Sequence, residues 1–267
     1  MLEPNHPVRL SSRVMVVSDV GKGREKRSGA YDGDERSFPF DEVSNEPREK
    51  GTPPGGVISP WLANRFLHYG FDVWVEKHCQ GIQLVRYADD IICHGRTEPE
   101  VRQLHQQLTQ RFTEGGLTWH PEKTKIVYCQ SWKHTADYER ISFDFLGFTF
   151  RPRQINSRDG HRLVGFVPAI SRTAAKRIRT EMNSWTWRSW IPSEIHDILR
   201  FSRDKICGWV EYYGKFGMHS IKWVLLHFDK KLSRWAKRKY KSLKTYRQAA
   251  RRVMAFQKRN AKLLAHW

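Results

Sequence analysis

The sequence predicts an α+β chain, in which antiparallel strands and helices are followed by an all-helical C-terminal half. Short strand-like runs alternate with helical segments up to about Arg153, and apolar residues recur at helical spacing after it. The basic residues also concentrate toward the C-terminus. At 267 residues and 39% hydrophobic content, the chain is long enough for two modest domains with real cores.

Two helices and three strand regions are predicted in the first half. The first helix has Ser59 as N-cap and Pro60 at its first position, with a buried stripe of Leu62, Phe66, Tyr69 and Val73. The second covers Glu98–Glu114 and stops at Gly115-Gly116, with an apolar face of Val101, Leu104, Leu108 and Phe112. Strands are predicted around IQLVRYADDIICHG, in KTKIVYC and in ISFDFLGFTF.

Three helices are predicted after residue 153. Ser171 and Ser193 are the expected caps of the first two, and the third begins near Ser220. Their buried stripes are expected to be Ala174, Ile178, Met182 and Trp185; then Ile195, Leu199, Ile206, Trp209 and Tyr213; then Val224, Phe228, Leu232 and Trp235.

The charge of the chain indicates a polyanionic partner. The net charge is +19, and residues 230–267 carry 14 Lys and Arg without one Asp or Glu. A membrane surface is the rival partner, but no apolar run approaches the roughly 20 residues of a spanning helix. Because the first residues lack an apolar stretch, we expect no signal peptide. The four cysteines form no CxxC pair, so we expect free thiols and a cytoplasmic location.

Asp89 and Asp90 stand side by side between two apolar runs. Adjacent carboxylates repel each other, so a cation is expected to join them. Magnesium takes oxygen ligands, and two such ions can promote phosphoryl transfer. A solvated turn is the alternative, but a turn between strands favours Gly or Asn. We therefore predict a β-hairpin with both aspartates at its tip.

Five segments resemble the group II intron reverse transcriptase/maturase family, in the family's order. They are GTPPGGVISPWLAN, YADD with its flanks, GLTWHPEKTKIVY, FDFLGFTFRPR and ICGWVEYYGKF. The resemblance runs from about Gly51 to the C-terminus and is to members that lack an endonuclease domain. It implies a partial right-hand polymerase palm, followed by an all-α thumb and maturase-specific (X) domain.

The resemblance also implies the site residues. Asp89 and Asp90 would bind the catalytic Mg²⁺ ions, Tyr87 would lie beside the primer end, and the residues near the nucleotide and template would be Gly55, Gly56 and Lys123. The implied partners are an RNA template, the intron RNA, and a DNA primer or target, with no membrane.

The chain departs from the family in two places. Pro54 replaces a Gln, which removes an amide and a backbone donor near the nucleotide. The third carboxylate of the metal site should come from an earlier strand, and Asp19, after the apolar run Val14–Ser18, is the only chemical candidate. Because its continuation does not resemble the family and its spacing to Gly51 is short, we expect an N-terminally truncated chain with an incomplete site and no cDNA synthesis by itself.

Four regions follow from these interpretations: residues 1–50, mostly poorly ordered and without a family match; a palm at 51–153; a thumb and X domain at 154–245; and a basic tail at 246–267. The leading function is reverse transcription by family with intron RNA binding and splicing assistance. The alternatives are an RNA-binding splicing protein without polymerase chemistry and an inactive pseudogene product.

Cations and aromatic side chains in the C-terminal half are the predicted RNA contacts, because they neutralise phosphates and stack on unpaired bases. Trp185, Trp209 and Trp235 fall on buried stripes and are assigned to the core. Trp187 and Trp190 fall off them and are assigned to RNA. The complete predicted set is Arg177, Arg188, Trp187, Trp190, Lys237, Arg238, Lys239, Lys241 and Lys244.

Overall fold

The computed structural model describes residues 13–21, through their backbone, and residues 58–120, 123–130, 138–156 and 160–267. Two compact units divide the chain: an N-terminal unit, Ser12–Tyr128, and a C-terminal unit, Cys129–Trp267. This division falls ahead of the boundary at residue 153 that the sequence analysis expects.

The N-terminal unit contains a mixed set of strands and helices. In chain order they are β1 (Arg13–Gly21), α1 (Ser59–Leu67), a π-helical turn (His68–Asp72), α2 (Val73–His78), β2 (Gln83–Tyr87), β3 (Asp90–Gly95), α3 (Glu98–Glu114), β4 (Thr118–Trp119) and β5 (Lys125–Cys129). The sheet order is β2-β3-β1-β4, and β5 also pairs with β1. Strand β1 comes from a region expected to be mostly disordered; the other residues of 1–50 lie outside the described ranges.

Helix α3 has the predicted bounds and the predicted buried face. Its N-cap is Thr97, whose hydroxyl accepts from the Glu100 amide while the Glu100 carboxylate accepts from the Thr97 amide. The long apolar side chains of this face cover the sheet, because α3 packs on β1, β3 and β4.

The prediction for α1 is wrong in two respects. Ile58 occupies the N-cap position, so the helix begins at Ser59 rather than after it. The expected buried stripe is largely exposed, with Phe66 at 51% and Tyr69 at 60%, while Leu67, Phe71 and Val75 are buried instead. The π-helical turn between α1 and α2 changes which side chains face the core. In it the Val73 amide donates to the carbonyl of His68, five residues back instead of four.

The C-terminal unit is a three-stranded sheet and four helices. The elements are β6 (Phe143–Phe145), β7 (Phe148–Asn156), β8 (Arg162–Ile170), α4 (Arg172–Ser184), α5 (Ile195–Gly214), α6 (Met218–Lys239) and α7 (Tyr246–Arg259), with the antiparallel sheet in the order β6-β7-β8. Strand β8 corrects the prediction that only helices follow residue 153. The core-facing residues predicted for α4, α5 and α6 are buried or partly buried in one cluster, and Ser171 caps α4.

The turn of the β6–β7 hairpin is fitted to α5. Leu146 and Gly147 both have positive φ, and a side chain on Gly147 would approach the Tyr213 hydroxyl to 2.9 Å. The Tyr212 hydroxyl donates to the Leu146 carbonyl at 2.9 Å. These contacts attach the small sheet to the helices of its own unit.

All four cysteines are free thiols, as predicted. Burial raises the pKa of Cys93 to about 12 and that of Cys129 to about 12, so these thiols stay protonated at neutral pH. Within the described residues, no helix combines the length and the hydrophobicity of a membrane span.

Candidate metal centre and nucleic-acid interface

The two adjacent aspartates lie at the tip of a β-hairpin, as predicted. Strands β2 and β3 pair antiparallel, with Tyr87 opposite Asp90, so the connection is the two residues Ala88 and Asp89. Ala88 has φ 51°, in the left-handed region that usually requires glycine. Asp89 is exposed in this turn, and Asp90 is half-buried where β3 begins.

Strand β1 brings a third carboxylate residue to the same place. It pairs antiparallel with β3, in a register that sets Asp19 directly opposite Asp90. Directly opposed residues of antiparallel strands have Cα atoms about 4.5–5.5 Å apart. In the sequence, a continuation unlike the family and the short spacing to Gly51 argue against Asp19. Strand pairing removes the objection of spacing, since the position of Asp19 is set by β3 rather than by the residues that follow it.

Carboxylates from two adjacent strands and one turn are suited to a hard divalent cation. The described side chains contain no cluster of three potential metal ligands, and the side chain of Asp19 is not among them. By backbone register, Asp19, Asp89 and Asp90 are nevertheless neighbouring residues at one end of the paired strands.

Arg86 connects the hairpin to α1 and to the π-helical turn that follows α1. Its Nε and Nη2 donate to the two carboxylate oxygens of Asp72 at 2.8 and 2.7 Å. Its Nη1 donates to Asn64 Oδ1 at 2.9 Å and to the carbonyl of Ala88 at 3.1 Å. The guanidinium therefore fixes the turn that carries Asp89. Sequence reasoning missed this residue, although it lies three positions before Asp89.

The residues expected near nucleotide and template are only partly described. Tyr87 is 63% exposed at the end of β2, beside the aspartates. Lys123 is exposed in the turn before β5, where its amide donates to the His120 carbonyl at 3.2 Å. Gly55, Gly56 and Pro54 lie outside the described residues.

The structure corrects the assignment of two tryptophans to RNA. Trp187 is buried, and its indole N–H donates to the Met182 carbonyl at 2.8 Å. Trp190 is half-buried; its ring lies 4.9 Å from that of Phe201, and its carbonyl accepts from the Trp235 indole. Both follow the last residue of α4, so helical spacing does not indicate which way they face. They belong to the aromatic core with Trp185, which is buried as predicted.

Lys239 is a structural residue rather than a free cation. Its ammonium donates to the Glu194 carboxylate at 2.7 Å and to the Ser193 carbonyl at 2.6 Å, and only 14% of its side chain is exposed. It thereby connects the end of α6 to the start of α5, whose N-cap is Glu194 rather than Ser193. The other predicted cations are all exposed: Arg177, Arg188, Lys237, Arg238, Lys241 and Lys244.

One face of α6 carries exposed cations in a line. At about 100° per residue, Lys230, Arg234 and Lys237 project from the side opposite its buried stripe. Arg234 and Lys237 also line a cleft with Arg238 and Tyr246. We call Trp223, Lys230, Arg234 and Lys237 the α6 face; helical spacing alone would have found it.

The cations of this region affect the ionisation of their neighbours. Burial and then Arg234 and Arg238 lower the pKa of Lys231. Burial, followed by cations including Lys231, Arg179 and Arg234, lowers the pKa of His227, whose Nε2 lies 2.8 Å from Asn183 Oδ1. This mutual repulsion would be relieved by a bound polyanion.

The predicted basic tail is a packed helix and its C-terminal extension. Helix α7 buries Ala249 and Val253 and packs on α6. Asp229 Oδ1 of α6 accepts from Gln257 Nε2 at 2.7 Å and from Trp267 Nε1 at 3.0 Å. The cations of α7 therefore project from a regular helix that is packed on α6.

Two protein-family models match the chain. "Reverse transcriptase (RNA-dependent DNA polymerase)" matches residues 31–150, and "Group II intron, maturase-specific domain" matches residues 175–254. The first match begins ahead of residue 51, where the sequence analysis starts the resemblance. Together the two matches cover most of the chain.

The comparisons with individual proteins are weaker. No curated protein matches the sequence. A solved structure of telomerase from Candida albicans, in complex with a TWJ fragment of telomeric RNA, is similar at 13% identity and a TM-score of 0.31. That match covers 75% of this chain and 31% of the telomerase chain, so the chain spans about a third of the length of this solved structure.

Proposed function

Because this chain belongs to the group II intron reverse transcriptase/maturase family, we propose that it copies RNA into DNA at the β2–β3 hairpin. We also propose that it binds group II intron RNA through its C-terminal unit and assists the splicing of that RNA. The N-terminal unit would supply the chemistry, and the C-terminal unit would hold the RNA.

The pairing of β1 with β3 carries the proposal for the chemistry. With Asp19 opposite Asp90, and Asp89 in the adjoining turn, three carboxylate residues share one end of three strand segments. These residues would hold Mg²⁺, which when bound activates the attacking oxygen and stabilises the leaving oxygen in nucleotidyl transfer. Tyr87, exposed on β2 next to Asp90 in the register, would contact the primer end.

The exposed cations of the C-terminal unit support RNA binding. Lys230, Arg234 and Lys237 on α6 lie on a regular helix, and α7 adds further exposed arginines. Phosphate contacts of this kind provide affinity and position the RNA without reading its sequence. Recognition of one intron would then come from RNA shape and from contacts to unpaired bases.

Primer extension on an RNA template tests the proposed chemistry. The full chain is given a DNA primer, deoxynucleotides and Mg²⁺, beside Asp89→Asn and Asp19→Asn variants and an Asp144→Asn control in β6. The sequence alone predicts an incomplete site and no cDNA; with Asp19 opposite Asp90, we expect Mg²⁺-dependent cDNA. Asp144→Asn should preserve it, and each of the other two changes should lower it by at least about 100-fold, since a metal ligand is lost.

Three results would separate the possibilities. Extension that survives Asp89→Asn would contradict the hairpin as the site of chemistry. Loss of primer extension with Asp89→Asn but not with Asp19→Asn would show that β1 contributes no residue to the site. RNA binding without any extension would favour the splicing protein that has no polymerase chemistry.

A further inference from the structure

Among the tryptophans that the structure describes in the C-terminal unit, Trp223 is the most exposed, at 61%. Its ring is held in place on α6, because its indole N–H donates to His219 Nε2 at 2.6 Å, one helical turn before it. A large aromatic side chain that is both exposed and fixed loses little conformational freedom when a flat ligand stacks on it.

Trp223 lies on the same line of α6 as the cations. At 3.6 residues per turn, Lys230, Arg234 and Lys237 fall within about 40° of its direction. At 1.5 Å per residue, they follow it at about 10, 16 and 21 Å along the axis. The α6 face therefore presents one aromatic ring at the head of a row of three positive charges.

Of the other exposed aromatic side chains described in this unit, three have visible packing roles, and Tyr246 lines the cleft with Arg234, Lys237 and Arg238. Phe201 contacts Trp190, Tyr212 donates to the Leu146 carbonyl, and Phe216 packs on the ring of Phe148. Trp223 contacts His219, its neighbour on the same helix. Core packing therefore gives no reason for a tryptophan at this position.

We propose that Trp223 stacks on an unpaired base of an RNA whose phosphates run along the cations of the α6 face. This inference rests on the proposed function, and it assigns the base contact to a tryptophan outside the aromatic core that contains Trp187 and Trp190. Every base has a flat π-face, so such a contact selects unpaired RNA over duplex without selecting a base.

Charge and geometry favour RNA over an anionic membrane. Three cations spaced along one line match a chain of phosphates, each of which carries one charge. An interfacial membrane helix needs an extended apolar face, whereas the exposed apolar side chains near Trp223 on α6 are few, chiefly Leu226 at 41% exposure. Binding to anionic vesicles is therefore an outcome that the test must include.

The test uses the full chain and two RNA hairpins with equal numbers of phosphates, one fully paired and one with a stretch of unpaired nucleotides. The variants are Trp223→Ala, Trp223→Phe and, as a matched control, Trp61→Ala, which removes an exposed tryptophan from the N-terminal unit. We expect Trp223→Ala to weaken binding of the unpaired RNA by about 5- to 100-fold and to leave the paired RNA unchanged. Trp223→Phe should retain most of the affinity, and Trp61→Ala all of it.

The salt dependence separates this inference from the proposed function. Trp223→Ala should leave the slope of log affinity against log salt unchanged, because it removes no phosphate contact. If Trp223→Ala lowers the affinity for both RNAs equally, or for neither, the stacking role is overturned, while RNA binding by the chain stands. Binding of anionic vesicles that Trp223→Ala abolishes would also overturn it. Failure of the unaltered chain to bind either RNA would overturn both.

Discussion

At the scale of single residues, Arg86 determines how the carboxylate hairpin is held. Its guanidinium makes a bidentate pair with Asp72 and also reaches Asn64 and the Ala88 carbonyl. Ala88 has a positive φ that costs a non-glycine residue free energy, so the turn needs outside support. The support comes from a helix that precedes the hairpin in the sequence.

We predict that Arg86→Lys loosens the hairpin locally. One ammonium cannot reproduce a planar guanidinium that serves three partners, and the pair with Asp72 is largely shielded from solvent. We expect a loss of about 2 kcal/mol in local stability, which speeds hydrogen exchange of the β2 and β3 amides about 30-fold.

Arg102→Lys is the control for this change. Arg102 pairs with Glu98 in an exposed i,i+4 geometry, so its replacement should cost less than about 0.5 kcal/mol. Equal effects of the two substitutions on β2 and β3 would show that Arg86 does not hold the turn.

The residues that sequence reasoning misjudged were those whose partners are distant in the chain. Lys239 was assigned to RNA because it sits in a basic run, but its partner, Glu194, is 45 residues away. Trp187 looked exposed because it falls off a helical stripe, yet the helix has ended before it. Asp89 and Asp90 were placed correctly because a hairpin tip depends on local sequence.

At the scale of elements, helical periodicity was reliable only where the helix is regular. The bounds and buried face of α3 were predicted because nothing interrupts its 3.6-residue period. The buried face of α1 was not predicted, because the π-helical turn at His68–Asp72 adds one residue to a helical turn. The residues after it are therefore rotated around the helix axis. No pattern in the sequence predicts that turn. The pairing of β1 with β3 joins residues more than 70 positions apart, and no local pattern predicts it either.

Helix α7 depends on Asp229 for its attachment to α6. Asp229 Oδ1 accepts from Gln257 and Trp267, and His266 Nε2 lies 3.4 Å from it. We predict that Asp229→Ala leaves these part-buried groups without their acceptor and costs about 2 kcal/mol in the docking of α7. Trypsin should then cut within Tyr246–Arg259 at least about tenfold faster.

Asp229→Asn is the matched control, since it keeps one carbonyl oxygen as acceptor at the same position. It should protect α7 better than Asp229→Ala does. If trypsin cuts both variants at the rate of the unaltered chain, α7 is held by its apolar face alone.

At the scale of the whole molecule, the proposed chemistry and the proposed RNA binding belong to different compact units. The N-terminal unit brings strand β1 to the aspartate hairpin, and the C-terminal unit displays cations on α6 and α7. The excess of positive charge lies in the second unit, where residues 230–267 contain no acidic residue. Composition predicted this division of charge, because charge is counted directly from the sequence.

We propose that Asp19 joins Asp89 and Asp90 in one divalent-cation site, and Fe²⁺-directed cleavage of the chain tests this site most directly. With added hydrogen peroxide and ascorbate, Fe²⁺ that replaces Mg²⁺ reduces the peroxide to hydroxide and hydroxyl radicals, which cut the backbone only near the bound ion. We predict cuts both near Asp19 and near Asp89–Asp90, suppressed by excess Mg²⁺ and lost in Asp89→Asn. Cuts confined to the hairpin, or cuts that persist in Asp89→Asn, would contradict it.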